Sequence, residues 1–424
     1  MKKKMLEGIE QEVITETLEN GLKIFLMPFK NRKNYSINYM TIFGAAIDKF
    51  KVNGKVCAPP SGVAHFLEHK MFEQETGEDP FEFFSKTGSD ANASTGYKST
   101  SYTVEGTNNI EENLEFLLNY VNSPYFTDEN VEKEKNIIVE EINMYNDEPE
   151  SRMYNESSKA IFKRHSMRID IGGTEESVRK ITKDDLYSCY NAFYIPSNMY
   201  LFISGNFDAE SILKVIKNNK LLNEKKNNPV VSVIRPNEPL EVNKKKIELK
   251  LDNVVKPKMI FTLKISLKDL HFEDKYKFVL LTTFIYDILY GSASIFKEKA
   301  LSDNLFTEFV ASKMVIDDFL LIEFMAESSS PEKLKEKIVE YFNNKEITKD
   351  DVERYKKTYI SSYVLSSDRV QSTLNGVIES VVDYGDVIYD KINIIRGITL
   401  DDVLLAKSKI DIDNSSLVVA YSKK

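Results

Sequence analysis

The sequence lacks several features that mark other classes of protein. Its 424 residues include only two cysteines, Cys57 and Cys189, which excludes a disulfide framework and favours a reducing compartment. No run of about 18 apolar residues occurs, so we expect no membrane-spanning helix. The lysines near the start are not followed by an apolar stretch, as they would be in a secretory signal. We therefore expect a cytoplasmic protein.

Long basic blocks are also absent, and the net charge is −9, which argues against nucleic acid as a partner. The chain is 42% hydrophobic and 29% charged, a composition typical of a globular protein. Because single cores seldom grow beyond about 250–300 residues, this length predicts two domains. The segment 223–245 has three prolines and no helical period, and it predicts a linker between domains 1–222 and 246–424.

The two predicted domains resemble each other in sequence. Thr127 and Thr348, 221 positions apart, each begin a similar stretch of polar residues that predicts the start of a helix. Thr182 and Thr399 suit helix N-caps, and the acidic residues that follow them favour the positive end of a helix dipole. An apolar strand follows each of these helices. The repetition predicts a duplicated domain, and the irregular alternation of helices and strands favours the α+β class.

The segment 62–72 carries the most informative motif. On a helix, His65 and His69 lie one turn apart on the same face, a spacing at which two imidazoles can bind one zinc ion. Glu68 lies beside His69, where its carboxylate can take a proton from a water molecule and pass it to a leaving amine. This order, HxxEH, is the reverse of HExxH, which does not occur in the chain. The alternative is a surface helix with two unrelated histidines, but the chain has only four.

A third zinc ligand should be a carboxylate from another helix. Glu134 and Glu141 are seven residues apart, which places them on one face of a predicted helix over 130–145, with Ile137 and Ile138 between them. Two carboxylates on an apolar face would be costly to bury without a metal or hydrogen-bond donors. The alternative is a solvated helix, which Glu132, Lys133 and Lys135 support for the opposite face.

Five segments together resemble the pitrilysin, insulinase and mitochondrial processing peptidase family of inverted zinc peptidases, most closely its YmfH-like branch of two-domain bacterial zinc-bearing subunits. They are GVAHFLEHKMFE, SDANAST, VEKEKNIIVEEINMY, RIDIGGT and YNAFYIPSNMYLFISGNFD, and they begin at residues 62, 89, 131, 168 and 190. The resemblance implies two tandem homologous α/β-sandwich domains of the processing-peptidase type. It also implies a zinc-dependent endopeptidase that cleaves extended peptides in an enclosed chamber.

The resemblance assigns a role to each matching residue. It implies one zinc ion per chain on His65, His69 and Glu141, with Glu68 as the general base. It implies that Glu134 supports a zinc ligand from outside the ligand set, and the spacing from Glu134 favours Glu141 over Glu140 as the ligand.

The strand that includes Asn92 and Ala93 matches the edge strand on which such enzymes bind peptide. Its free backbone groups could pair with a substrate largely without regard to sequence. Asn92 would then contact substrate; the alternative is an asparagine in a turn before a strand.

One segment departs from the family pattern. The second domain normally supplies an Arg and a Tyr that contact the substrate, but here Ser294 stands in the place of the Arg, and Phe306 or Thr307 near that of the Tyr. We therefore predict a heterodimer with a homologous subunit that has no zinc and supplies both residues. A homodimer is the alternative.

Two other functions remain open at this point. One is a catalytically weak assembly or binding subunit, which would have no reason to keep His65, Glu68, His69 and Glu141 together. The other is a zinc hydrolase of small amides, which would not need a peptide-binding edge strand.

Overall fold

The computed structural model describes residues 1–225, 230–268 and 270–423, and within them the strands and helices alternate irregularly. The strands are β1 Lys2–Leu6, β2 Gln11–Thr17, β3 Lys23–Pro28, β4 Tyr35–Thr41, β5 Phe50–Val52, β6 Lys55–Cys57, β7 Asp90–Thr95, β8 Thr100–Gly106, β9 Met199–Gly205, β10 Val231–Val233, β11 Lys246–Leu251, β12 Lys258–Ser266, β13 Glu308–Ile316, β14 Phe319–Glu327 and β15 Ser415–Ser422.

The α-helices include the predicted ones, with small changes at their ends. They are α1 Val63–Met71, α2 Pro80–Lys86, α3 Ile110–Val121, α4 Asp128–Asp147, α5 Pro149–Ile161, α6 Glu175–Lys180, α7 Lys183–Phe193, α8 Ala209–Asn218, α9 Lys220–Glu224, α10 Phe272–Tyr290, α11 Ile295–Ser302, α12 Pro331–Asn344, α13 Lys349–Ser367, α14 Val370–Tyr384, α15 Lys391–Gly397 and α16 Leu400–Ser408.

The chain divides into two compact units, and each unit is made of three separate segments of the sequence. Unit 1 consists of residues 1–143, 169–236 and 366–379, and unit 2 of residues 144–168, 237–365 and 380–424. Residues 144–168 thus belong to unit 2 although they precede the predicted linker, and residues 366–379 belong to unit 1. The predicted boundaries at 222 and 246 separate two homologous halves of the sequence, which are not the same as the two compact units. These boundaries stay a prediction.

Unit 1 is built on a seven-stranded sheet with the order β1-β2-β3-β9-β4-β8-β7. The pair β3–β9 is parallel and the other pairs are antiparallel. A separate small sheet has the order β10-β5-β6. Strand β10 lies inside the predicted linker, and residues 226–229 of that linker lie outside the described residues.

Unit 2 repeats the central arrangement of unit 1 in a five-stranded sheet, β11-β15-β12-β14-β13. Its parallel pair, β11–β15, takes the place of β3–β9, and the remaining pairs are antiparallel. The matching order of strands along both the chain and the sheet confirms a duplicated α+β domain.

The helix caps repeat as well. Thr182 and Thr399 are N-caps of α7 and α16, and each forms a capping box with an aspartate three residues later. The threonine hydroxyl accepts a hydrogen bond from the aspartate's backbone N–H, and the aspartate carboxylate accepts one from the threonine N–H. These reciprocal bonds satisfy amides that would otherwise be unpaired at a helix start, which explains why both halves use the same residues.

One apolar stretch in unit 2, Asp274–Ser302, has the length and composition of a membrane span. Its apolar window is 67% buried inside the protein, and Phe284, Ile285 and Leu289 of α10 belong to the core of unit 2. The burial is that of a packed core helix.

Candidate active site

Helix α1 holds the HxxEH motif in a fixed position. Phe66, Leu67 and Met71 are fully buried in the core of unit 1. Each such side chain contributes about 1.5–3 kcal/mol on burial, so one face of the helix is firmly anchored. The histidines project from another face, where the side chains of His65 and His69 are 15% and 24% exposed.

The start of α1 packs closely against the Gly-Gly pair of the RIDIGGT stretch. Gly62 has φ of +89°, and a Cβ there would lie 2.4 Å from the carbonyl oxygen of Gly172. Gly173 has φ of +81°, and its Cβ would lie 2.5 Å from the carbonyl oxygen of Ser61. A side chain at either position would therefore push the two segments apart and move His65.

Helix α4 supplies the facing carboxylates, as its sequence predicts. Ile138 and Ile142 are buried, and Glu134 and Glu141 are half-buried, whereas Glu140 is exposed. The structure therefore brings Glu141 and not Glu140 to the histidines.

Two details of the predicted faces of α4 are wrong. Ile137, which was expected on the buried face, is 48% exposed, and Lys135, which was expected in solvent, is only 7% exposed. The ammonium group of Lys135 forms an ion pair with Glu132 at 2.5 Å. The long stem of the lysine packs along the helix while its charge reaches this carboxylate near the surface.

His65, His69 and Glu141 converge on one point. Glu141 lies with one carboxylate oxygen 3.7 Å from His65 Nε2 and the other 3.4 Å from His69 Nε2. One ligand atom from each of the three residues lies within 4.8 Å of the others. Tetrahedral zinc with bonds of about 2.0–2.1 Å separates its ligand atoms by about 3.3 Å, so the donor atoms fit zinc in both type and spacing.

Glu134 contacts His69 at the ring nitrogen that faces away from Glu141. Its carboxylate lies 3.1 Å from His69 Nδ1. If His69 donates its Nδ1 proton to Glu134, the lone pair of Nε2 faces Glu141 and is available to a metal. The opposite ring nitrogen of His65, Nδ1, is buried and has no hydrogen-bond partner in the described part of the chain.

The charges around the histidines also fit a cation. Burial disfavours the charged form of His69, but hydrogen bonds to Glu134 and Glu141 outweigh burial and raise its pKa to about 9. Burial lowers the pKa of His65, and the neighbouring His69 lowers it further. Two carboxylates thus favour a positive charge at this point, which a bound metal ion would supply.

Glu68 lies on the side of α1 that faces the sheet. It is 8% exposed, and burial raises the pKa of its carboxyl group. Its Oε2 accepts a hydrogen bond of 2.5 Å from the hydroxyl of Thr95, the last residue of β7. Sequence reasoning missed Thr95, because no local pattern shows which residue of a distant strand meets a helix.

Asn92 and Ala93 lie on β7, which forms one edge of the seven-stranded sheet. Asn92 is exposed and Ala93 is half-buried. The side-chain oxygen of Asn92 accepts a hydrogen bond of 2.9 Å from the backbone N–H of Ala93. In the described part of the chain, β7 pairs only with β8, so its other edge has no strand partner there.

The residues that replace the expected Arg and Tyr are engaged within unit 2. Ser294 is 6% exposed and caps α11 by accepting a hydrogen bond from the N–H of Lys297. Phe306 is 4% exposed and packs in the core, and the hydroxyl of Thr307 donates to Glu327 at 3.2 Å.

Known protein families and relatives match this sequence over most of its length. The family model "Insulinase (Peptidase family M16)" matches residues 56–175, and "Peptidase M16 inactive domain" matches residues 180–359. A Bacillus subtilis protein named as the zinc protease YmfH is 35% identical over 421 residues, which cover 94% of this chain and 95% of the relative.

Solved structures agree with the sequence comparisons. An M16-like peptidase from Alicyclobacillus acidocaldarius superposes with a TM-score of 0.93 at 31% identity, covering 98% of this chain and 100% of the other. A Helicobacter pylori protease has a TM-score of 0.82 at 17% identity, covering 97% and 99% of the two chains, and shares the fold.

Proposed function

The chain belongs to the M16, or insulinase, family of peptidases, and we propose on that basis that it is a zinc-dependent endopeptidase that cleaves extended peptides. The observation that carries the proposal is the convergence of His65, His69 and Glu141 with Glu68 beside them. The relatives named as zinc proteases support the same metal.

The residues divide the work of hydrolysis between them. His65, His69 and Glu141 would hold zinc, with Glu134 orienting His69. A zinc ion bound there would act as a Lewis acid and lower the pKa of a water molecule to about 7. Glu68 would take the proton of the attacking water and later give it to the leaving amine. Burial raises the pKa of Glu68, which makes its carboxylate a stronger proton acceptor than an exposed one.

The edges of the unit 1 sheet support a peptide as the substrate. At one edge, Lys2, Lys3 and Lys4 of β1 are all exposed, and such charges discourage strand pairing. At the other edge, β7 presents small and neutral side chains at most positions and lies beside Glu68. A peptide added to β7 would form backbone hydrogen bonds and extend the sheet. A hydrolase of small amides would gain nothing from this edge.

We further propose that the active form is a heterodimer, enclosing a chamber, in which a homologous subunit without zinc supplies an Arg and a Tyr. Support comes from Ser294 and Phe306, which are buried and cannot take the place of those side chains. An Arg offers a charged fork to substrate carbonyls that a capping Ser cannot replace. A homodimer that orients substrate through β7 alone is the alternative.

The proposal is tested by incubating the purified chain with an unstructured peptide, alone and with a homologous chain that carries the Arg and Tyr. We expect weak cleavage by the chain alone, strong cleavage by the mixture, and none by either after removal of zinc. Full activity of the chain alone, unchanged by the second chain, would contradict the heterodimer. No cleavage under any condition would favour an assembly subunit.

The free thiols support a cytoplasmic location, which cell fractionation tests.

A further inference from the structure

The hydroxyl of Thr95 is the side-chain group that hydrogen-bonds Glu68 in the described part of the chain, at 2.5 Å. A distance this short is typical of an O–H donor to a charged carboxylate. The bond uses Oε2 and leaves Oε1 of Glu68 available to the reacting proton. Thr95 therefore fixes the direction of the carboxylate without blocking it.

Thr95 is itself held by a rigid turn. Its backbone pairs with Thr100 in the last register position of the β7–β8 hairpin. Gly96 N–H donates to the carbonyl of Ser99, and the carbonyl of Gly96 accepts from the N–H of Ala45 at 3.0 Å. The hydroxyls of Thr95 and Thr100 are 3.3 Å apart, and Thr100 donates to the carbonyl of Phe43 at 2.9 Å. Thr95 is thus a fixed point between the sheet and the helix of the HxxEH motif.

The same residue ends the strand that would bind the peptide. Ala91, Ala93 and Thr95 alternate along β7 as half-buried residues, so they lie on one face of the sheet. A peptide that pairs with β7 would lie along the strand that ends at Thr95. Any shift of the strand would move the donor that holds Glu68.

We propose that Thr95 is the positioning residue of the general base, linking peptide binding on β7 to the orientation of Glu68. The proposal rests on the proposed function for its catalytic meaning. Val has nearly the shape of Thr but lacks the hydroxyl, so T95V keeps the shape and removes the hydroxyl's bond to Glu68 and its contact with Thr100. Ser retains the hydroxyl, so T95S restores it.

The test measures kcat, KM, zinc content and thermal unfolding for T95V and T95S on an unstructured peptide, in the most active form of the enzyme. A misdirected base should lower kcat of T95V by at least about 10-fold, with KM within about twofold. T95S should keep most of the activity, and both variants should retain zinc. T358V is the matched control, since among the described residues the hydroxyl of Thr358 donates to the carbonyl of Arg354 in its own helix and to no catalytic group.

The proposal is overturned if T95V keeps more than half of the wild-type kcat, or if T95S loses as much as T95V. Loss of zinc in T95V would also overturn it, because Thr95 would then support the metal site as a whole. A crystal structure of T95V decides the case even if the wild-type chain cleaves no peptide, which would refute only the proposed function. We expect the Glu68 carboxylate to leave its wild-type position, and an unchanged carboxylate would overturn the proposal.

Discussion

The two units share one strand order but differ in the chemistry of the polar groups that they bury. In unit 1, three side chains from α1 and α4 meet at a common point. In unit 2, buried titratable groups have other partners: His165 Nε2 lies 2.9 Å from Asp317, and Glu323 accepts from Ser312 at 3.4 Å. In the described part of unit 2, no three such groups converge as a metal site would require. The fold therefore supplies a frame, and a few residues on two helices decide whether that frame can bind zinc.

The largest difference between the units should appear when one glutamate in each is changed to glutamine. E68Q removes the proton acceptor but leaves the zinc ligands, so we expect peptide cleavage to fall by about 10²–10⁴-fold with zinc retained. E323Q changes a buried glutamate of unit 2 and should leave cleavage within about twofold. The measurement is kcat/KM together with zinc content. Equal losses in both variants would mean that the contrast between the units is mistaken.

A second contrast lies within α4, between two adjacent glutamates. E141Q should weaken zinc binding strongly, because an amide oxygen is a poorer ligand than a carboxylate and carries no charge to offset that of the metal. E140Q is the control, since Glu140 is exposed. Zinc affinity by competition with a chelator measures the effect. If E140Q loses zinc and E141Q does not, the ligand has been wrongly assigned.

E134Q should have a smaller effect than E141Q. Glu134 contacts His69 and not the ligand point itself, so its loss should lower zinc affinity by about 10–100-fold. The same competition assay applies. An effect as large as that of E141Q would indicate that Glu134 binds the metal directly.

The sequence could identify the residues that the structure brings together because their signals are local. The spacing of His65 and His69, and of Glu134 and Glu141, follows from the period of a helix alone. That the two helices face each other came from the family resemblance, since no local pattern carries it. Thr182 and Thr399 were identified as caps for the same reason, since capping depends on residues three positions apart.

What the sequence did not reveal depends on packing between distant segments. Strand β1 went unpredicted because its three lysines suggest a loop, yet it pairs with β2. The exchange of 144–168 and 366–379 between units has no local signature. The exposure of Ile137 depends on which flank of α4 meets the core of unit 1, and periodicity leaves that open within one turn of helix.

The smallest expected effect concerns stability in unit 2. Burial raises the pKa of Glu323 from its ordinary 4.5 to about 6. Because the folded-state pKa is the higher one, the protonated form is tolerated below pH 4.5, and stability is lost as the pH rises through 6. The penalty above pH 6 is about 2 kcal/mol, at about 1.4 kcal/mol per pKa unit.

E323Q removes that penalty, since glutamine stays neutral. We expect the thermal midpoint of E323Q to exceed that of the wild type at pH 7.5 and the two to converge near pH 4.5. A constant difference across this pH range would show that Glu323 does not titrate as its burial requires.

Zinc stoichiometry tests the central claim most directly. Elemental analysis of the chain purified without chelators should find about one zinc ion per chain, and an H69A variant prepared in the same way should retain little. If the wild-type chain holds zinc and the H69A variant does not, the metal lies in unit 1. Less than about a tenth of an equivalent in the wild-type chain, with no uptake of added zinc, would contradict the account.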